Sequence, residues 1–166
     1  VGFIGNLKRI PEDFSTSAAP VEGVVVEASG IADPRVVEGM LAETRMDEIY
    51  RLATIVTVVD PKSFYKLLHT LPNIRAQVES ADRVIVNKTD LCTEEELART
   101  EAQVREIKPA VRIERASHCA VDLDLFGEGG PRSLKGDYAT CADPHYSRLA
   151  FTWGAAIETE ALTRAL

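Results

Sequence analysis

The tetrapeptide Asn87-Lys88-Thr89-Asp90 directly follows the apolar run 84–86. The Asp90 carboxylate can accept hydrogen bonds from two adjacent donors, a pattern that the N1 and N2 hydrogens of guanine offer and adenine lacks. The Asn87 amide can bond base acceptors or neighbours in its own loop, and the Lys88 stem can lie on a purine face. The same four residues also suit an ordinary strand-to-helix turn that supplies a helix N-cap. Taken alone, the tetrapeptide leaves both interpretations open.

A second polar stretch, Glu-Ala-Ser-Gly-Ile-Ala-Asp-Pro at 27–34, follows the β-branched run 24–26. The Glu27 carboxylate could hold a magnesium-bound water or polarise an attacking one. Gly30 has no Cβ, so its backbone N–H can approach a γ-phosphate closely. The alternative is a polar turn in which Pro34 begins a helix. Two polar stretches at the ends of predicted strands favour a nucleotide site over two unrelated turns.

Four residues are candidate metal ligands. His118 and Cys119 are adjacent, and Cys141 and His145 are separated by three residues. A Cys-x-x-x-His pair can coordinate zinc. Adjacent side chains usually point apart, however, and the sequence predicts no position for the second pair, so exposed histidines and ordinary thiols explain these residues as well. The sequence therefore offers metal-ligand candidates without identifying a metal.

Composition limits the classes of function. The chain has 166 residues, 45% of them hydrophobic and 27% charged, which is typical of a soluble domain with its own core. No apolar run is long enough to span a membrane, and no secretory signal segment begins the chain. The net charge of -7 argues against a nucleic-acid partner. The three cysteines are widely spaced, which favours a cytoplasmic location.

The order of the predicted elements indicates an α/β fold. Continuous apolar runs are typical of buried parallel strands, and stretches of helical periodicity separate them. Strand alternating with helix predicts a mostly parallel sheet with helices on both faces and a ligand site at the carboxyl edge. The first 22 residues indicate only a loop or a short piece of helix. The predicted strands are 23–27, 53–59, 83–86 and 111–113, and the predicted helices begin at 34 and cover 61–69, 72–80 and 93–107.

The composition changes after residue 126. Glycine, proline and serine dominate the next stretch, and a strand-like run followed by a helix-like run appears near the end. We expect a nucleotide-binding domain over 1–126, a flexible linker over 127–145 and the start of a small α+β domain over 146–166. Because the chain begins with Val1 and ends inside a predicted helix, we expect it to be a fragment.

Several stretches, in register and in order over about three quarters of the chain, resemble the CobW-type branch of the P-loop GTPases, which also includes UreG and HypB. The 146–166 stretch resembles the start of the family's small C-terminal domain. The stretches that carry the resemblance are V-V-V-E-A-S-G-I-A-D-P at 24–34, T-V-V-D at 57–60, Q-V-E-S-A-D-R-V-I-V-N-K-T-D-L at 77–91 and A-S-H-C-A-V-D-L-D-L-F at 116–126.

The resemblance implies a GTP-hydrolysing, magnesium-dependent metal chaperone that delivers zinc or cobalt to client proteins and in some members serves cobalamin synthesis. The composition described above argues against a nucleic-acid partner and a membrane partner, and the sequence leaves a homodimer open. Asn87, Lys88 and Asp90 would then bind guanine. Glu27 would be the catalytic residue facing magnesium, Gly30 would face the γ-phosphate, and Ser117 would close over the base, a list that completes the expected site.

Two family motifs are missing from these residues. No G-x-x-x-x-G-K-[ST] loop occurs, so the phosphates would lack their backbone cradle and their lysine. The family's C-x-C-C metal motif is also absent. We therefore expect this chain to bind GTP poorly and to hydrolyse it hardly at all. The alternatives are a non-catalytic, degenerate member that acts as a binding scaffold, or another P-loop NTPase.

Overall fold

Among the residues that the structure describes, three parallel β-strands form a sheet, and helices pack against it. The computed structural model describes residues 2–30, 32–124 and 126. Two 3-10 turns, Met46–Glu48 and Thr89–Leu91, lie between the longer elements. In chain order the elements are α1 (Gly2–Phe14), α2 (Arg35–Glu43), β1 (Val56–Val59), α3 (Pro61–Thr70), α4 (Pro72–Ser80), β2 (Arg83–Val86), α5 (Glu94–Ile107) and β3 (Arg112–Arg115).

The sheet has the order β1-β2-β3, and both strand pairs are parallel. Parallel neighbours need a crossover connection, and α3, α4 and α5 supply it here. In the register, Val59 pairs with Val86, and Val86 pairs with Arg115. The three strands therefore end side by side, which confirms the predicted α/β fold and aligns the residues that follow each strand.

Burial along β2 shows that this strand is covered on both faces. Val84, Ile85 and Val86 are 0%, 2% and 0% exposed, although consecutive strand residues point to opposite faces. Val84 belongs to a core cluster that also contains Phe64 of α3 and Val104 of α5. A central strand with two covered faces explains why the sequence of β2 is a continuous apolar run.

Local sequence signals fix two of the helix starts. Asp60 precedes α3, and its side chain accepts a hydrogen bond from the backbone N–H of Lys62. At the start of α5, Thr93 and Glu96 form the predicted capping box, in which each side chain accepts from the backbone N–H of the other residue. These caps satisfy N–H groups that have no partner within their own helix.

The prediction of a strand over 23–27 is wrong. This segment has no regular secondary structure, and Val25 and Val26 are 72% and 51% exposed. Val24 instead packs against the cluster formed by Leu7, Leu41 and Met46. A strand needs a neighbour for its backbone groups, and within residues 2–30, 32–124 and 126 no strand pairs with this segment. β-branched composition alone was therefore a misleading signal.

Residues 2–14 form a longer helix than the sequence predicted, and this helix contains Pro11. Proline has no N–H, so it cannot donate to the carbonyl four residues earlier, which belongs to Leu7. The Tyr50 hydroxyl donates to the Leu7 carbonyl at 2.9 Å. This contact with a residue 43 positions away compensates for the missing helix hydrogen bond. The apolar face of α1 packs on α2.

In the part of the chain that the structure describes, no helix is long and apolar enough to cross a bilayer. The predicted linker over 127–145 and the predicted domain start over 146–166 lie outside the described residues.

Candidate nucleotide-binding site

The carboxyl ends of the three strands place three polar groups at one edge of the sheet. Asp60 follows β1, Asn87 follows β2, and Ala116-Ser117 follow β3. Backbone bonds continue past the strands, since the Asn87 N–H donates to Val59 O at 2.9 Å and the Ala116 N–H donates to Val86 O at 2.9 Å. The predicted base-binding tetrapeptide therefore begins at the edge of the sheet where α/β folds bind ligands.

Asp90 lies in the 3-10 turn and is exposed. The Ser117 hydroxyl donates to Asp90 Oδ1 at 2.8 Å. This hydrogen bond is the main reason why the pKa of Asp90 lies below its usual value, so the side chain is a carboxylate at neutral pH. Each carboxylate oxygen has two lone pairs, so the oxygen that Ser117 contacts retains accepting capacity. The side chain can therefore accept a pair of ligand donors.

Thr89 links the two loops that form this edge. Its hydroxyl donates to Ala116 O at 3.1 Å, and its oxygen lies 3.1 Å from Ser117 Oγ. The Thr89 N–H also donates to Ala116 O at 3.1 Å. Thr89 occupies the unspecified position of the N-K-x-D pattern. It orients Ser117, and Ser117 in turn orients Asp90. Sequence reasoning missed this role, because the pattern leaves that position unspecified.

The Asn87 side chain binds the second loop. Its Oδ1 accepts the backbone N–H of Cys119 at 2.8 Å. His118 and Cys119 have φ values of 56° and 52°, and the Ala120 N–H donates to Ser117 O at 3.1 Å. Two consecutive residues with positive φ inside such a bond are typical of a type I′ turn, which disfavours residues with a Cβ. Asn87 therefore stabilises a turn whose backbone conformation is unfavourable for His118 and Cys119.

Lys88 also has a left-handed backbone, with φ 60° and ψ 35°. Its Nζ lies 2.8 Å from Asp60 Oδ2. The lysine is the largest reason why the pKa of Asp60 is lowered, and the aspartate is the largest reason why the pKa of Lys88 is raised. Asp60 was not among the predicted site residues, although its position directly after a buried strand was a usable signal.

The predicted phosphate-side residues lie in a different environment. Glu27 and Gly30 are both exposed and belong to the segment without a strand. The Gln77 side-chain amide of α4 donates to Gly30 O at 3.0 Å and to Ala32 O at 2.8 Å. A Cβ built on Gly30 meets nothing within 4 Å, so packing does not require glycine there. One exposed carboxylate such as Glu27 suits a water-mediated contact to Mg²⁺ rather than a complete coordination shell.

The metal-ligand candidates divide into two groups. His118 and Cys119 are described, and Cys119 is an exposed free thiol whose backbone serves the loop contact. Among the described residues, no group of three or more histidine, cysteine, aspartate or glutamate side chains is arranged to hold a metal ion. Cys141 and His145 lie outside the described residues.

The fold and this edge define an α/β domain of the class that binds ligands at the carboxyl edge of a parallel sheet. The family model of the CobW/HypB/UreG nucleotide-binding domain matches residues 3–115, which is more than half of the chain. The protein belongs to this family, as its motifs had indicated.

Two relatives illustrate the match. The chain is 29% identical over 127 residues to zinc-regulated GTPase metalloprotein activator 1 of Schizosaccharomyces pombe, covering 69% of this chain and 30% of that protein. It also shares its fold with Zn(II)-bound YjiA GTPase from E. coli, with a TM-score of 0.59 and 21% identity over 84% of this chain and 45% of the other. The chain therefore spans less than half the length of either relative.

Proposed function

We propose that this chain is the guanine-recognising part of a GTP-binding metal chaperone. The observation that carries the proposal is the exposed, ionised Asp90 at the carboxyl edge of the sheet, held by Ser117 at 2.8 Å. A fixed carboxylate can accept N1–H and N2–H from guanine, whereas adenine presents an acceptor at N1. Asn87 fixes the neighbouring turn through the Cys119 N–H, so both loops around the base are organised before ligand arrives.

On the phosphate side, we propose that Glu27 faces Mg²⁺ through water and that Gly30 faces the γ-phosphate. Family membership and the exposure of both residues support this assignment. Magnesium would neutralise charge on the phosphates when it is bound. The residues of this chain would orient the base and hold the segment that faces the phosphates. Because no G-x-x-x-x-G-K-[ST] loop occurs in these 166 residues, we expect weak nucleotide affinity and very slow hydrolysis.

We further propose zinc as the delivered metal, with a metal-requiring client protein as the recipient. Zinc is preferred to cobalt because the two relatives are described as zinc-regulated and Zn(II)-bound. Cobalamin synthesis, a cytoplasmic location and a homodimer remain parts of this proposal for the whole protein. The chain by itself is expected to supply nucleotide recognition through the Asp90 carboxylate that Ser117 holds at the edge of the sheet.

The decisive experiment compares nucleotide preference in the wild-type chain and in Asp90→Asn. NMR titration with GDP, ADP and XDP measures dissociation constants into the millimolar range. We expect the wild type to prefer GDP over ADP by at least about tenfold. Adenine lacks the two donors that guanine offers, so binding ADP would leave the Asp90 carboxylate without hydrogen bonds, which costs affinity. Asp90→Asn should shift the preference toward XDP, because its amide can donate to the additional carbonyl of xanthine.

Asp47→Asn is the matched control, since Asp47 is also an exposed aspartate in a 3-10 turn. It should leave all three dissociation constants unchanged. Equal binding of GDP and ADP by the wild type, or an Asp90→Asn protein with unchanged preference, would refute guanine recognition by this edge.

A further inference from the structure

We propose that Asp60 is a positioning residue of the guanine site, which holds the Lys88 ammonium so that the lysine stem forms one wall of the purine slot. The inference rests on the proposed function and assigns a role to a residue outside the N-K-x-D pattern. Its basis is the 2.8 Å contact between Lys88 Nζ and Asp60 Oδ2, which joins residues 28 positions apart. The contact links the end of β1 to the loop that follows β2.

The two oxygens of Asp60 have separate partners. Oδ1 accepts the Lys62 N–H at 3.0 Å and caps α3, while Oδ2 accepts from Lys88. The Asp60 backbone carbonyl also accepts the Phe64 N–H at 2.9 Å. A carboxylate at a helix N-terminus is further favoured by the helix dipole. The aspartate is therefore fixed to the sheet and to α3, and it provides a rigid anchor for the lysine.

Lys88 needs such an anchor if its stem is to form a wall. Its side chain is 53% exposed and has four rotatable bonds, so without a partner it would sample many rotamers. Ordering a side chain at the moment of binding weakens affinity, and ordering it beforehand recovers that loss. The left-handed backbone at Lys88 already fixes where the stem leaves the chain. Asp60 fixes the other end of the stem.

This division of labour predicts a specific pattern of selectivity. A hydrocarbon stem on a ring face contacts any purine and does not distinguish the exocyclic groups. Asp90 reads those groups by hydrogen bonding. Loss of the Asp60 anchor should therefore weaken all purine nucleotides by the same factor, whereas a change at Asp90 should alter the ranking of the bases.

The test uses Asp60→Asn, because asparagine remains a good N-cap for α3 while it loses the charge that holds Lys88. NMR titration with GDP and IDP should give dissociation constants about twofold to fivefold higher for both ligands, the range expected for a partly exposed ion pair. In a Lys88→Met background, which keeps the stem and removes the charge, Asp60→Asn should have no further effect. Asp47→Asn again serves as the control for loss of a surface carboxylate.

A second readout needs no nucleotide. At low temperature and mildly acidic pH, the Lys88 Nζ–H signal in a proton–nitrogen NMR spectrum of the free protein should be visible in the wild type, because pairing with Asp60 slows the exchange of the ammonium protons with water. It should be lost or shifted in Asp60→Asn. A merely structural role in capping α3 would not move this signal, since asparagine retains the cap.

The two proposals fail in different ways. If Asp90→Asn changes base preference while Asp60→Asn binds GDP and IDP like the wild type, the positioning role is overturned and guanine recognition stands. If Asp60→Asn changes the ratio of GDP to IDP affinity, or still weakens binding in the Lys88→Met background, the positioning role is also wrong. If the wild type does not distinguish GDP from ADP, both proposals fall together.

Discussion

The base-side loops and the phosphate-side segment of this domain are built in different ways. The loops at Asn87–Asp90 and Ser117–Cys119 continue from paired strands and contact each other through side chains and backbone. The segment 27–30 does not follow a strand. The Gln77 side chain of α4 donates a hydrogen bond to its last carbonyl, that of Gly30. Strand ends in register place neighbouring residues with little freedom, whereas a coil segment depends on individual contacts. The four predictions below test this contrast.

The largest effect is expected from Gln77→Glu. The substitution keeps the shape of the side chain but replaces an N–H₂ that donates to two carbonyls with acceptor oxygens. We expect the local stability around Gly30 and Ala32 to fall by about 1 to 3 kcal/mol. Hydrogen exchange measured by mass spectrometry should show faster exchange there and unchanged exchange over 87–90. Faster exchange in both regions would mean that they are not independent.

Asp33→Asn removes an ion pair that flanks the same segment. Asp33 is buried, and Arg35 donates to both of its oxygens, at 2.6 to 3.0 Å. This contact with Arg35 is the main reason why the pKa of Asp33 is lowered, against the opposing effect of burial. We expect the free energy of unfolding at pH 7 to fall by about 1 to 2 kcal/mol.

The effect of Asp33→Asn on the free energy of unfolding should depend on pH, because the ion pair forms only when Asp33 is ionised. A carboxyl whose folded pKa lies below its unfolded value of about 3.9 stabilises the protein above that value, and the stabilisation is lost as the pH falls through the folded pKa. Urea unfolding at several pH values should therefore show the difference between wild type and Asp33→Asn shrinking in acid. A difference that is constant with pH would exclude the ion pair as its cause.

Asn87→Ala tests the link between the two base-side loops. The Cys119 N–H would lose its acceptor, and we expect its protection from hydrogen exchange and the affinity for GDP to fall by about threefold to tenfold. Asn87→Asp retains the acceptor oxygen and should restore the protection of Cys119. If alanine and aspartate behaved alike, the loop contact would not be what organises this edge.

The smallest effect is expected from Gly30→Ala. No described glycine has a positive φ, and a Cβ at Gly30 would meet nothing within 4 Å. The free energy of unfolding should change by less than about 0.5 kcal/mol in urea titrations. The matched substitution Gly23→Ala would place its Cβ closer to the Phe126 ring than carbon atoms can approach and should displace that ring. A large loss of stability in Gly30→Ala would show that the fold, not a ligand, requires this glycine.

Much of the sheet and its helices could be predicted because the relevant signals are local. The continuous apolar run of β2, the Asp60-Pro61 start of α3 and the Thr93 to Glu96 capping box each act within a few residues. The strand prediction based on the 24–26 run was wrong because strand formation depends on a pairing partner, which the run itself does not specify. The same limitation explains why Glu27, which was expected at a strand end, lies in a coil segment.

The sequence by itself determined the chemical groups at this edge and the order of the elements, because residue type and hydrophobic periodicity are local properties. Only the tertiary structure decided that Asp60 binds Lys88 and that Thr89 contacts Ser117. It also decided that Tyr50 donates to the Leu7 carbonyl, which has no helix donor because of Pro11. These contacts join residues from 28 to 43 positions apart. Such pairs meet only after the strands have aligned and the helices have packed, so no local pattern in the sequence specifies them.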